Sequence, residues 1–168
     1  MSKKLFVILL AVCVAAVALG TFLILRALTR TGADDPVRAV WQYQKAAMLY
    51  DADGMLKYSS EYNTAVLADH VPRNTDLKEY LKKQYSSVTS RYAGKKLTYN
   101  AEIAGEWSDG DEGYEILFAE YMDRVPDADI PLRFAEVRMT VFSENSKAFE
   151  ITAYAVQAGG SWYYWKTD

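Results

Sequence analysis

Hydrophobic and polar residues follow three successive regimes along this chain. From Leu5 to Leu25 no charged residue interrupts an apolar run. At about 1.5 Å per residue, a helix of that length matches a hydrocarbon core of about 30 Å. From Pro36 onward apolar residues recur at steps of three and four, and from Leu97 the period falls to two. The first regime predicts a membrane-spanning signal anchor, the second amphipathic helices, the third half-buried antiparallel strands.

Asp34-Asp35-Pro36 places two capping carboxylates ahead of a proline suited to the first helical turn. Val37, Val40, Trp41, Gln44, Ala47 and Met48 then form one stripe, predicting a helix to about Tyr50. Asp51-Ala52-Asp53-Gly54 breaks it, with a shorter helical stretch around Met55 to Tyr58 and a mixed segment to His70. A second start at Pro72 to Asp76 leads into Leu77, Tyr80, Leu81, Gln84, Tyr85, Val88 and Tyr92, predicting a helix that ends at Gly94. Leu97, Tyr99, Ala101, Ile103 and Trp107 then alternate with polar residues as a strand. Ser108 to Gly113 reads as a hairpin turn and Tyr114 to Asp123 as the returning strand. Further strands are expected at Arg133 to Ser143, with Ala135, Val137, Met139 and Val141 on one face, at Phe149 to Val156, and at Trp162 to Lys166.

Helices followed by strands predict an α+β domain: two or three helices packed on an antiparallel sheet of four to five strands. The expected division is a tail at 1–4, the membrane helix at 5–25, a linker at 26–33 and one domain at 34–168. The very short tail favours a cytoplasmic N-terminus and an extracytoplasmic domain, since Lys3 and Lys4 are balanced by Arg26, Arg30 and Arg38. Two other fates of the apolar run stay open. Ala16-Val17-Ala18 offers a cleavage site, although cleavage there would leave Leu19 to Leu25 apolar. Leu10-Ala11-Val12-Cys13 resembles a lipidation box, with Val12 where a small residue is usual and an apolar continuation beyond the cysteine.

Charge and chemistry narrow the function. All 22 acidic residues lie beyond Arg30, while four of the 19 basic ones flank the apolar run, so the domain is more acidic than the whole chain's −3. An acidic domain without a basic stripe argues against nucleic acid. With Cys13 the lone cysteine and His70 the lone histidine, neither an intrachain disulfide nor a cysteine- or histidine-rich metal site can be built. His70 is a candidate general base without an identifiable partner. Asp51, Asp53 and Gly54 imitate the start of a calcium loop, but the glycine is misplaced and Met55 follows. Asp109-Gly110-Asp111-Glu112 is explained by turn chemistry. No catalytic residue, cofactor or metal ligand is therefore assigned.

The order of helices, a helix ending at a glycine, and a meander closing on Val156-Gln157-Ala158-Gly159-Gly160-Ser161-Trp162-Tyr163 resembles the nuclear transport factor 2-like (cystatin-like) superfamily. The resemblance implies a curved sheet wrapped around helices as a cone, open or filled. Members that isomerise or dehydrate small molecules act inside the cone, which makes Trp41, Tyr43, Tyr99, Trp107 and Tyr154 candidate pocket residues, against the alternative that they are plain core. Trp162-Tyr163-Tyr164-Trp165 puts aromatics on both faces of one strand: either both faces are covered, or one is a partner surface. The function expected is a non-enzymatic, membrane-tethered extracytoplasmic binding or accessory domain. It would contact the bilayer through its N-terminal helix and associate with a protein partner or with itself. The alternatives are a scaffold subunit of a conjugation or type IV secretion-type complex, and an isomerase or cyclase.

Overall fold

Four successive helices begin on side-chain caps, each an oxygen three residues ahead of the N–H it satisfies. Asp35 accepts from Arg38 N at 2.8 Å, Asp51 from Gly54 N at 3.0 Å, Ser60 from Asn63 N at 3.1 Å and Asp76 from Glu79 N at 3.0 Å. Such caps answer backbone donors that the first helical turn leaves unpaired. They open α1 (Pro36–Leu49), α2 (Ala52–Tyr58), α3 (Glu61–Ala68) and α4 (Leu77–Ser86). The structure is a computed structural model and describes residues 31–168. Within it Gly32–Asp168 forms one unit.

The strands β1 (Leu97–Ser108), β2 (Arg133–Ser143), β3 (Ser146–Ala158) and β4 (Ser161–Thr167) form one antiparallel meander in the order β1-β2-β3-β4. The inner face carries Ala135, Val137, Met139 and Val141 of β2, Ala153 and Ala155 of β3, and Trp162 and Tyr164 of β4. These pack with Ala39, Val40, Trp41, Tyr43 and Ala46 of α1. Between β1 and β2 the chain makes α5 (Tyr114–Arg124). This helix lies on one end of the outer face, where Tyr114 and Tyr121 meet Phe134, Val156 and Trp165.

Bulges decide which side chains reach which face. In β1 the register shifts between Ile103 and Gly105, so Trp107, opposite Phe134, turns to the outer face while Ile103, opposite Val137, stays on the inner one. A Cβ on Gly105 would stand 2.5 Å from the Trp107 ring, so this close approach needs glycine. In β4 the extra residue is Trp165: Tyr154 faces Lys166, and Ala155 faces Tyr164. A bulge of this kind bends the strand and re-aims its side chains.

Several expectations are corrected. Tyr114 to Asp123 is helical, not the returning strand of a hairpin, because Tyr114, Leu117, Phe118, Tyr121 and Met122 repeat at helical spacing against Phe134 and Trp165. Gly113, at φ 94°, turns the chain into it. The described residues therefore hold five helices and four strands, where two or three helices and four to five strands were expected. The helix expected to run to Gly94 stops at Ser86. The expected membrane helix at 5–25 lies outside the described residues, and among the described residues no helix is long and apolar enough to cross a membrane. The membrane-spanning element of the expected fold, and the extracytoplasmic location inferred from it, are withdrawn on that finding.

Under α1 the interior is aromatic. The rings of Tyr43 and Tyr164 stack with centroids 3.8 Å apart. Beside them Asn63 donates from Nδ2 to Ser59 Oγ at 2.7 Å. Burial pushes the hydroxyls of Tyr43, Tyr121 and Tyr164 above the ordinary tyrosine value. At Tyr43 the Asn63 side chain pulls the other way, and Tyr43 itself adds to the rise at Tyr164. The folded state thus favours the neutral phenols. Their contribution to stability is complete below the ordinary value of about 10 and is lost as pH rises through the raised folded values. A spectrophotometric titration should show a group of tyrosines ionising only together with unfolding, and normally in urea. Normal titration of every tyrosine in the folded protein would contradict this burial.

Candidate functional site

The five aromatic residues expected around one pocket divide between two faces of the sheet. Trp41 and Tyr43 are buried on the inner face. Tyr99, 37% exposed, closes over Trp41 with ring centroids 4.7 Å apart. Trp107 and Tyr154 lie on the outer face, 6.4 Å apart. Among the described residues the two groups face away from each other, and the buried side chains of α1 pack directly on those of the inner sheet face.

The terminal aromatic strand is covered on both sides. Trp162 and Tyr164 are buried under α1, Trp165 is buried under α5, and Tyr163 is half-buried. The remaining candidates have local explanations. His70 is exposed, with Nδ1 3.3 Å from Val66 O one turn back. Asp51 caps α2, while Asp53 grips Lys78 at 2.7 Å and Lys82 at 2.9 Å, tying α2 to α4. Hydrogen bonds from those two lysines hold the Asp53 carboxyl below the usual range. Asp111 accepts from Ser108 N at 2.7 Å and Ser108 Oγ at 2.8 Å, closing the turn after β1. Among the described residues no group of histidine, cysteine, aspartate or glutamate could hold a metal ion.

The geometry with binding character is the part of the outer sheet face that α5 leaves bare. Two cross-strand rows lie there: Asn100 opposite Thr140 opposite Glu150, and Glu102 opposite Arg138 opposite Thr152. They floor a groove of about 510 Å³. Arg138 donates to Glu136 at 3.1 Å. Glu150 takes Lys147 at 2.6 Å, which holds its carboxyl below the usual range. The covered end begins one row further on, where the Lys166 ammonium pairs with Glu120 of α5 and sits 4.6 Å from the Trp165 ring centre. The polar alternation of the strands foreshadowed this face. Which half a helix covers depends on α5, whose apolar residues also fit the period of a strand.

No protein-family model, no curated protein and no solved structure matches the chain. The nuclear transport factor 2-like resemblance therefore has no match behind it, and the site must be read from its own chemistry.

Proposed function

We propose that this is a non-enzymatic binding domain whose ligand is another polypeptide, held on the open half of the outer sheet face. The observation that carries the reading is the unequal covering of the sheet. Helices cover the inner face along β2, β3 and β4 and one end of the outer face, leaving two rows of amide, hydroxyl, carboxylate and guanidinium groups in a shallow groove. Such a surface offers many weak, orientation-dependent hydrogen bonds. That suits recognition of a polar chain better than enclosure of a small apolar molecule.

A catalytic reading lacks its main part. The buried polar residues described are Ser59, Ser60, Asn63, Ser90 and Ser161, so no carboxyl group is sequestered to serve as a raised-pKa acid or base. The carboxyls of Asp53, Asp111 and Glu150 are each held below the usual range by the hydrogen bonds they accept.

The test places a photo-crosslinking side chain at Thr140, on the groove floor, and at Lys83 on α4 as a reference. Expressed in its native host, the Thr140 variant should form discrete adducts with other chains that the Lys83 variant does not form. Arg138→Glu should reduce them by at least about tenfold, the loss of one charge-assisted contact. Equal adducts from both positions would refute the groove as a binding surface.

A further inference from the structure

The two edges of the sheet are treated differently. Along β4 the edge is taken up by the chain itself: Ala33 and Trp162 exchange backbone hydrogen bonds at 2.8 and 2.9 Å, and Ser60 N donates to Tyr164 O at 2.9 Å. Along β1, among the described residues, β2 is the one strand paired, and the other edge is bare. An unpaired strand edge is a template for another strand unless charge, proline or a bulge blunts it. In β1 the bulge comes only after Ile103, so Leu97 to Ile103 is a regular edge without proline, carrying one charge, Glu102.

Its inner-face residues are Leu97, Tyr99, Ala101 and Ile103, all apolar, and α1 does not fully cover them: Tyr99 is 37% and Ile103 47% exposed. The regular stretch is centred on Asn100. A second copy laid antiparallel about that residue puts Leu97 opposite Ile103 and Tyr99 opposite Ala101, so every inner-face residue meets an apolar partner. On the outer face Asn100 meets Asn100 and Thr98 meets Glu102. Exposed Lys96 then stands diagonally across from Glu102 of the other copy, within reach for a long side chain. A centre two residues further on sets Glu102 against Glu102, which repels. A centre one residue further on runs the pairing into the bulge at Ala104 and Gly105.

We propose that β1 is a homodimer interface: two copies pair antiparallel about Asn100 and join their sheets into one of eight strands. The interface is the edge of β1 and the groove is floored by its outer face, so the two share Asn100 and Glu102; disulfides between copies of this chain report on the first and adducts with a different chain on the second. The dimer would set the two grooves side by side, since Asn100 and Glu102 line each of them.

Site-specific disulfide formation tests both the partner and the register. In the full-length chain carrying Cys13→Ser, kept in mild detergent because of its uncharged N-terminal run, Asn100→Cys and Thr98→Cys are compared under mild oxidation. Residues directly opposite in an antiparallel pair have Cα atoms about 4.5–5.5 Å apart, within disulfide range. Thr98 would lie four residues, about 13 Å, from its own counterpart. The expected result is a covalent dimer from Asn100→Cys at least tenfold more abundant than from Thr98→Cys. Adding Ile103→Lys, an exposed substitution whose fold is checked by circular dichroism, should abolish it. No dimer from Asn100→Cys, equal yields from both positions, or a yield unaffected by Ile103→Lys would overturn the proposal. Because Thr140 stands opposite Asn100, a second copy of this chain is within its reach, so only adducts with a chain of different identity report on the groove.

Discussion

Replacing Trp165 with alanine lowers the unfolding free energy by about 3–5 kcal/mol, the range for a large aromatic side chain removed from a core. Trp165 is fully buried at the β4 bulge. Four rings surround it: Phe134 at 5.0 Å, Tyr62 at 5.6 Å, Tyr121 at 5.7 Å and Tyr154 at 5.9 Å between centroids. The ring thereby links β2, β3, the start of α3 and the middle of α5. Its loss leaves a void between rigid rings, which relax poorly into it, so the cost should sit toward the upper end of the range. The indole nitrogen is buried without a hydrogen-bond partner, which makes Trp165→Phe informative. Because no hydrogen bond is forfeited, phenylalanine should restore most of the loss. Urea denaturation of the three proteins measures this. A cost below about 1 kcal/mol for the alanine variant would mean that α5 is not anchored here.

Val137→Asp should leave no stably folded protein at neutral pH. Val137 is fully buried in the middle of β2, between Ile103 and Ala153 and beneath α1. Its cross-strand partners, Ile103 and Ala153, are apolar and offer no counter-charge. An uncompensated buried charge costs several kcal/mol, comparable with the 5–15 kcal/mol that typically holds a domain together. Desolvation would raise the folded pKa of the new carboxyl above the unfolded value near 3.9. The penalty is therefore smallest below that value, where the group is neutral in both states, and grows as pH rises to the folded pKa. Val137→Ala, which removes volume but adds no charge, should cost about 1–3 kcal/mol. Thermal melts at acidic and neutral pH separate the cases. A cooperative melt for Val137→Asp at neutral pH, within a few degrees of the parent, would contradict the packing.

The starts of α1 and α4 were legible because capping is local chemistry, an aspartate three residues ahead of a donor acting within one turn; Asp51 and Ser60 cap α2 and α3 in the same way, but within a stretch whose apolar spacing is mixed. The inner face of β2 was legible because strict alternation at Ala135, Val137, Met139 and Val141 admits one reading. Tyr114 to Asp123 was not, since its apolar residues satisfy both periods. Tyr114, Ile116 and Phe118 alternate, while Tyr114, Leu117, Phe118 and Tyr121 follow a helix. Packing chooses the second, and Ile116, left 73% exposed, marks the residue that pattern abandons.

The five pocket candidates divide between two faces for a related reason. Tyr99 and Trp107 share a parity in the sequence, but the bulge at Ala104 puts them on opposite faces, and a bulge leaves no periodic trace. The aromatic strand Trp162 to Trp165 left two readings open, covered or exposed, and α5, covering Trp165 from the outer side, decides between them.

By itself, then, the sequence determined the α+β class, the capped starts of α1 and α4, the alternating core face of β2, and a chemistry without cysteine or histidine clusters in the domain. These depend on residues within a turn or two of one another. Only the tertiary structure decided which sheet face each half-strand shows to solvent, which edge is sealed by Ala33 and Ser60, and which edge is left bare along β1. Those outcomes depend on contacts between segments far apart in the chain, where a single extra residue in a strand reverses every side chain beyond it.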